Sequence, residues 1–286
     1  MSIVTRFAPS PTGFLHLGHV FAAGFARSRA LAGSGRFLLR LEDIDPTRCR
    51  REFADAILED VGWLGLCWDG LVRIQSQHFA DYRGALDALE ARGLLYPCFC
   101  TRADITREAA ASASAPQGPD GPLYPGTCRR LSPTERVARL RRGEPHAMRM
   151  DLARALGKIS GPLTYHEEGV GEVVCQPERF GDPILARKDS PASYHLCATH
   201  DDALQRVSLV TRGEDLRAST DLQRLLQVLM GWPEPRYAHH RLLRDASGRR
   251  FAKRDRALTV RALREAGCSA AQVLGMAGLT PTGQVA

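Results

Sequence analysis

The chain has 286 residues, 44% of them hydrophobic and 25% charged, with a formal net charge of +7. That length suits one large or two modest domains with a sizeable core, and the composition is that of an ordinary soluble globular protein. No run of about 18 apolar residues occurs, which excludes a membrane-spanning helix. The Met1–Arg6 opening lacks the apolar region of a signal peptide, so a cytoplasmic location is expected. The basic balance (pI about 9.2) suits a polyanionic partner such as RNA, although many Arg-rich soluble proteins are mildly basic.

In chain order, Ile3 and Val4 open a strand, and an Ala-rich run over Val20 to Ala32 predicts a helix. Arg36 to Leu41 is a short apolar run suited to a buried strand, ending in Glu42-Asp43-Ile44-Asp45-Pro46. Helical periodicity follows over Glu52 to Leu64 and over His78 to Arg92. Strands alternating with helices imply a parallel, right-handed α/β sheet, whose ligands bind at the carboxyl ends of the strands. Residues 96–130 break the pattern, and Ala109 to Gly126, rich in Ala, Ser, Pro and Gly, reads as a flexible loop. A basic helix over Pro133 to Arg142 with short strands follows. Ile184 to Arg187 and Ser208 to Val210 are then expected to complete the interrupted sheet. Asp221 to Gly231 is a helix closed by glycine, and the last thirty residues read as one or two short helices with a frayed tail.

Two histidines, His16 and His19, stand at the first strand-to-helix junction, about one helical turn apart. A helix N-terminus with free N–H groups favours phosphate, Gly18 leaves room for a ligand near the backbone, and imidazole donors there suit a triphosphate whose charge shifts during reaction. Alone, a His-x-x-His pair is weak and more often structural. Here Arg6-Phe7-Ala8-Pro9-Ser10-Pro11-Thr12-Gly13 precedes His16-Leu17-Gly18-His19. The whole string resembles the adenylate-forming signature of class I aminoacyl-tRNA synthetases, specifically the glutamyl branch.

That resemblance runs from about residue 3 to residue 260 and implies a Rossmann-like catalytic core with a parallel sheet, split by an insertion. It places the amino acid on Arg6, Phe7, Ala8, Pro9, Ser10, Glu42, Tyr194 and Arg212. The chemistry is coherent: arginines and an acid complement the carboxylates and ammonium of glutamate, and an Arg fork binds a carboxylate in a way an amide cannot match. Read alone, Arg212 could equally pair with Glu214, and Tyr194 could be a core aromatic. ATP is expected on His16, Gly18, His19, Arg250 and Lys253, with His16, His19 and Lys253 catalytic and Mg2+ accompanying ATP. Arg250-Phe251-Ala252-Lys253-Arg254 stands where the family has Lys-Met-Ser-Lys-Ser or Lys-Leu-Ser-Lys-Arg. Arg250 replaces the first lysine, Ala252 replaces the serine, and Lys253 retains the charge that neutralises the triphosphate.

The chain has eight cysteines and no export signal, so disulfides are not expected. Cys98-x-Cys100 with Tyr124-x-x-x-Cys128 resembles the zinc site of the matching subfamily, and three thiolates suit a closed, structural tetrahedral zinc, one per chain. Tyr124 is the unusual donor; water or His146 could take its place, or the thiols could be unliganded. Such a metal would pin the insertion.

The expected organisation is 1–95 for the first half of the catalytic domain, 96–182 for a zinc-containing α+β insertion, 183–235 for the second half, and 236–286 for the lysine loop and a short C-terminal helical segment. No anticodon-binding domain is expected. The chain therefore resembles the short, queuosine-directed members of the glutamyl branch. The resemblance implies glutamate activation by ATP without tRNA, then transfer to queuosine at the wobble position of tRNA(Asp), by a monomer. A truncated enzyme charging a tRNA 3′ end, or an inactive RNA-binding paralogue, are the alternatives.

Overall fold

The computed structural model describes residues 2–111, 117–243 and 259–285. The first part runs β1 (Val4–Phe7), α1 (Leu17–Ala32), β2 (Arg36–Leu41), α2 (Arg51–Trp63), β3 (Arg73–Ile74) and α3 (Phe79–Ala91). Next come β4 (Leu95–Cys98), α4 (Arg102–Ala111), β5 (Gln117–Gly118), β6 (Gly121–Pro122), α5 (Pro133–Arg141), β7 (Ala147–Met150), α6 (Leu152–Leu156), β8 (Thr164–Glu167), β9 (Gly171–Val174) and β10 (Ile184–Ala186). The last part holds α7 (Tyr194–Leu204), β11 (Leu209–Gly213), α8 (Arg217–Met230), β12 (Arg236–His240), α9 (Val260–Glu265) and α10 (Ala270–Met276).

The parallel sheet expected from the alternating pattern is present. β1 pairs with β2 and β2 with β3, while β11 pairs with β12, all in parallel. The two ladders meet where Ser208 N–H donates to the Val4 carbonyl at 3.0 Å and Ser208 Oγ accepts from Val4 N–H at 2.9 Å. In the resulting arrangement, β3-β2-β1-β11-β12, the order of strand connection reverses between β1 and β11, the point in an open α/β sheet where a crevice forms beyond the strand ends. β8 extends the sheet beside β12, and β9 returns antiparallel to it. Apolar faces of α1 and α2 cover β1 and β2, with Val20, Phe21, Ile57, Val61 and Leu39 in one buried cluster. A second cluster joins α3, α7 and α8 through Tyr82, Leu86, Leu196, Leu222 and Leu226.

Three expectations change. Ile184 to Ala186 does not complete the parallel sheet. It pairs antiparallel with β7, which also pairs with β4, because Met150 and Leu185 bury their side chains together in the second cluster rather than against α1. The described part of the Ala109 to Gly126 loop is not structureless: β5 and β6 form a short hairpin. The C-terminal segment is not frayed. Leu279 is buried against α1, where a Cβ on Gly24 would lie 2.4 Å from Leu279 Cδ1, and Arg27 Nη1 donates to the Thr282 carbonyl at 2.9 Å. Glycine at position 24 is what lets the tail dock. Among the described residues no helix is long and apolar enough to cross a membrane.

Candidate active site

β1 delivers Arg6 and Phe7 to the crevice, and the chain then turns through Ala8, Pro9 and Ser10. The end of β2 is tied to that turn by Glu42 N–H, which donates to the Pro9 carbonyl at 3.1 Å. β11 delivers Arg212 beside β1, and Ser193 caps α7 so that Tyr194 opens it. A cleft of about 400 Å³ is lined by Arg6, Phe7, Ala8, Pro9, Ser10, Glu42, Tyr194 and Arg212, together with His19. Every residue the resemblance assigned to the amino acid therefore reaches one cavity, although the segments lie far apart in sequence.

The charges around this cleft are arranged in two different ways. Arg6 donates from Nε to Asp202 Oδ1 at 2.8 Å, from Nη2 to Asp202 Oδ2 at 3.3 Å, and from Nη1 to the Thr211 carbonyl at 2.9 Å. Arg40, fully buried, donates from Nη1 to the same Asp202 Oδ1 at 2.8 Å and from Nη2 to Glu42 Oε1 at 3.0 Å. Burial pushes the Glu42 carboxyl up, opposed by the charges of Arg40 and Arg6. Burial also opposes ionisation of Asp202, but the adjacent Arg6 and Arg40 guanidiniums prevail and hold its carboxyl below the usual range. Sequence reasoning missed Arg40 and Asp202. Arg40 sat inside an apolar strand run, where a charge signals either an exposed face or a buried pair.

Arg212 is held differently. Its Nη1 donates to Gln223 Oε1 at 2.7 Å, its Nη2 to Thr220 Oγ1 at 2.5 Å and its Nε to His239 Nε2 at 3.3 Å. Among the described residues no carboxylate lies within ion-pair distance of it, so the alternative pairing with Glu214 does not form. The residue is 6% exposed. A buried guanidinium bonded only to neutral groups is an unsatisfied charge, and it faces the cleft.

His16 is the N-cap of α1. Its Nδ1 accepts from Gly18 N–H at 3.1 Å, while His19 Nδ1 accepts from His16 N–H at 3.2 Å, a reciprocal capping box made of imidazoles. The rings lie 3.8 Å apart, centroid to centroid. A Cβ on Gly18 would meet His16 Cε1 at 2.9 Å, so glycine there leaves room for the capping ring. The backbone of His16 bridges to Thr259, and Val260 N–H donates to the Leu15 carbonyl at 2.8 Å. Thr259 and Val260, which follow the lysine-loop segment in sequence, are thereby held at the histidine turn. Arg250 and Lys253 lie outside the described residues.

In the insertion, the sulfurs of Cys98, Cys100 and Cys128 lie within 4.8 Å of one another. Cys100 Sγ is 3.5 Å from Cys128 Sγ and 3.5 Å from the Tyr124 hydroxyl. Sulfurs around tetrahedral zinc sit about 3.8 Å apart, so the donor set fits such an ion. Hydrogen bonding from Cys98, first, and from Tyr124 pulls the Cys128 thiol down to about 4 against its burial, and Cys98 is correspondingly raised. His146 is outside the thiol group; its Nδ1 lies 3.1 Å from the Glu144 carbonyl. A cleft of about 690 Å³ runs from Cys98 and Cys100 to Asp45, lined by Arg48, Arg102, Arg149, Arg187 and Lys188.

A parallel sheet whose order of connections reverses at a cleft, with a histidine-capped helix beside it, is the architecture of a class I synthetase. The family model for tRNA synthetases class I (E and Q), catalytic domain, matches residues 2–283, and the chain belongs to that family. It is 45% identical over 285 residues to the glutamyl-Q tRNA(Asp) synthetase of Rhodobacter capsulatus, spanning 97% of this chain and 100% of that protein. The protein of the same name from Symbiobacterium thermophilum is 41% identical over 94% of this chain and 84% of its own length. Likeness to the glutamate–tRNA ligase of Aquifex aeolicus is 36%, over 93% of this chain but 54% of that enzyme. The crystal structure of glutamate–tRNA synthetase from Elizabethkingia anophelis superposes with a TM-score of 0.75 at 26% identity, over 89% of this chain and 53% of that one. The chain thus spans about half the length of these two glutamate–tRNA enzymes, and all or most of the length of the two glutamyl-Q enzymes.

Proposed function

We propose that the chain activates L-glutamate with ATP to glutamyl-adenylate in the absence of tRNA, then transfers the glutamyl group to queuosine at the wobble position of tRNA(Asp). The observation that carries this reading is the cleft between the ends of β1 and β11. It is lined by Arg212, without a carboxylate partner among the described residues, together with Glu42, Tyr194 and His19. The names of the full-length relatives support the RNA assignment.

In this mechanism Arg212 takes a carboxylate of glutamate, Glu42 accepts from its ammonium, and Arg6, Phe7, Ala8, Pro9, Ser10 and Tyr194 shape the rest of the pocket. The α-carboxylate of glutamate then attacks the α-phosphate of ATP. The N-terminus of α1 and the His16 and His19 rings would stabilise the charge that develops on the phosphates, with the Gly18 N–H kept in the His16 cap. Lys253, with Arg250, would neutralise the leaving pyrophosphate. Mg2+ bound to ATP supplies further charge neutralisation. A hydroxyl of the queuosine ring then attacks the carbonyl carbon of the glutamyl-adenylate. The mixed-anhydride C–O bond breaks, AMP leaves with the hydroxyl proton passing to solvent, and a glutamyl ester of the ring results. The cationic cleft along Arg48, Arg102, Arg149, Arg187 and Lys188 suits the RNA backbone. Cys98, Cys100, Tyr124 and Cys128 would hold one structural zinc, which ties the insertion together without entering the reaction.

The test is glutamate-dependent ATP–pyrophosphate exchange without tRNA, followed by transfer of labelled glutamate to tRNA(Asp) with and without queuosine. Exchange without tRNA, with label on the queuosine-containing tRNA only, is expected. Exchange that requires tRNA, or equal labelling of both tRNAs, would overturn the assignment in favour of 3′-end charging. No exchange under either condition, with salt-dependent RNA binding retained, would favour the inactive paralogue.

A further inference from the structure

Arg212 is surrounded by acceptors from two elements, and each of them is uncharged. Thr220 and Gln223 stand one helical turn apart on α8 and take its two Nη groups. His239, on β12, takes its Nε. Behind His239 stands the carboxylate of Glu167. Its Oε1 lies 3.2 Å from His239 Nδ1, off the direction of a good hydrogen bond, and its Oε2 is taken by Arg217 Nη1. One imidazole therefore separates Glu167 from Arg212. His239 is stacked on Tyr237 at an interplanar angle of 4°, with centroids 6.2 Å apart, which fixes the ring plane. Burial, with the charges of Arg212 and Arg217, pushes its imidazole down to about 3, so it stays neutral at physiological pH.

The contrast with Arg6 is the informative point. Both arginines are buried and both line the cleft, yet Arg6 is ion-paired to Asp202 while Arg212 is oriented by neutral groups only. Neutral acceptors fix the guanidinium without cancelling its charge. Replacing any of them with a carboxylate would pair Arg212 internally and leave a second carboxylate, that of the ligand, with little to gain.

We propose that Thr220, Gln223 and His239 are positioning residues that form an all-neutral cage for Arg212, and that the neutrality of this cage sets the preference for glutamate over glutamine. The inference rests on the proposed glutamate-activating function.

The isosteric pair Gln223→Glu adds one charge to the cage from α8, and His239→Glu adds one from β12, while His239→Gln keeps a neutral acceptor near the Nε2 position. Thermal melts confirm that each variant is folded. Pyrophosphate exchange then gives kcat and KM for glutamate and the inhibition constant of glutamine. Gln223→Glu and His239→Glu are each expected to raise the glutamate KM by about 100-fold, with kcat changed much less and glutamine inhibition within about threefold. His239→Gln is expected to keep the wild-type ratio of glutamate KM to glutamine inhibition constant within about fivefold. Because the two charged substitutions sit on different elements, either one that folds decides the matter. A folded charged variant with the wild-type ratio, or His239→Gln losing the ratio as fully as His239→Glu, overturns the cage. Wild-type protein without glutamate-dependent exchange overturns the functional reading and this inference with it. Wild-type exchange with an unchanged variant ratio removes only the cage.

Discussion

Arg40 on β2 and Glu42 just past the end of that strand are joined directly, with Arg40 Nη2 donating to Glu42 Oε1 at 3.0 Å. The period of a strand makes residues two apart share a face, so this pair is local, but its burial is not. Arg40 also reaches Asp202 on α7, which in turn holds Arg6 on β1. Thus the acid that faces the cleft, Glu42, is set by a guanidinium that does not line the cleft itself.

Arg40→Met is expected to remove about 3–5 kcal/mol of stability, because Asp202 and Glu42 stay buried with one fewer cation. Urea unfolding of variant and wild type checks this. A shift below about 0.5 kcal/mol would mean the network is not closed in solution. Glutamate KM should rise in the same variant, with ATP KM little changed.

His16 serves as a helix cap and, on the proposed function, as a phosphate group partner. Asparagine is a good N-cap whose side-chain oxygen takes the place of Nδ1, so His16→Asn separates the two roles. Stability is expected within about 0.5 kcal/mol of wild type. Exchange activity is expected to fall by about 100-fold. Equal loss of both in melts and exchange assays would assign His16 to capping alone.

Metal content should be one zinc per chain by elemental analysis, and Cys100→Ala should lower it. A strong chelator is expected to lower the melting temperature by about 4 °C or more, since a lost structural ion removes folding free energy. Tyr124→Phe tests the fourth donor through the same readouts. In each case pyrophosphate exchange should persist at temperatures where the protein remains folded. Full metal retention by Cys100→Ala would refute the ligand set.

Asp60 is buried on α2, and one of its oxygens, Oδ2, has no hydrogen-bond partner among the described residues. Burial first, and then Glu59, push its carboxyl up to about 6, only partly opposed by Arg264 and Arg261 on α9. A carboxyl raised on folding binds its proton more tightly in the native state. Its contribution to stability is therefore present below the ordinary carboxylate range and is lost as pH rises through about 6. Asp60→Asn should be more stable than wild type at pH 8 by on the order of 1 kcal/mol, solvent near the side chain reducing the full linkage. The difference should vanish near pH 4, as measured by unfolding at both pH values.

Much of this protein was legible from its residues. The strand and helix periods placed β1, α1, β2, α2 and α3 to within a few residues, because each buries a continuous apolar face. The motif from Arg6 to His19, with Glu42, Tyr194 and Arg212, named a set that the fold gathers into a single cleft. Spacing of Cys98, Cys100 and Cys128 also anticipated their meeting. Arg250 and Lys253 lie outside the described residues, and there the reading rests on sequence alone.

What local sequence determined was therefore which residues to expect at one cleft and which segments are regular, since propensity, period and motif spacing are properties of neighbours along the chain. Only the tertiary structure decided their partners. Ile184 to Ala186 has the period of a strand in either sheet, and packing chose β7. Arg6 and Arg212 look alike in sequence, yet Asp202 neutralises one while Thr220, Gln223 and His239 leave the other charged. Whether a buried charge is cancelled or left available depends on groups brought within about 3 Å from distant segments, and that is information a one-dimensional pattern does not contain.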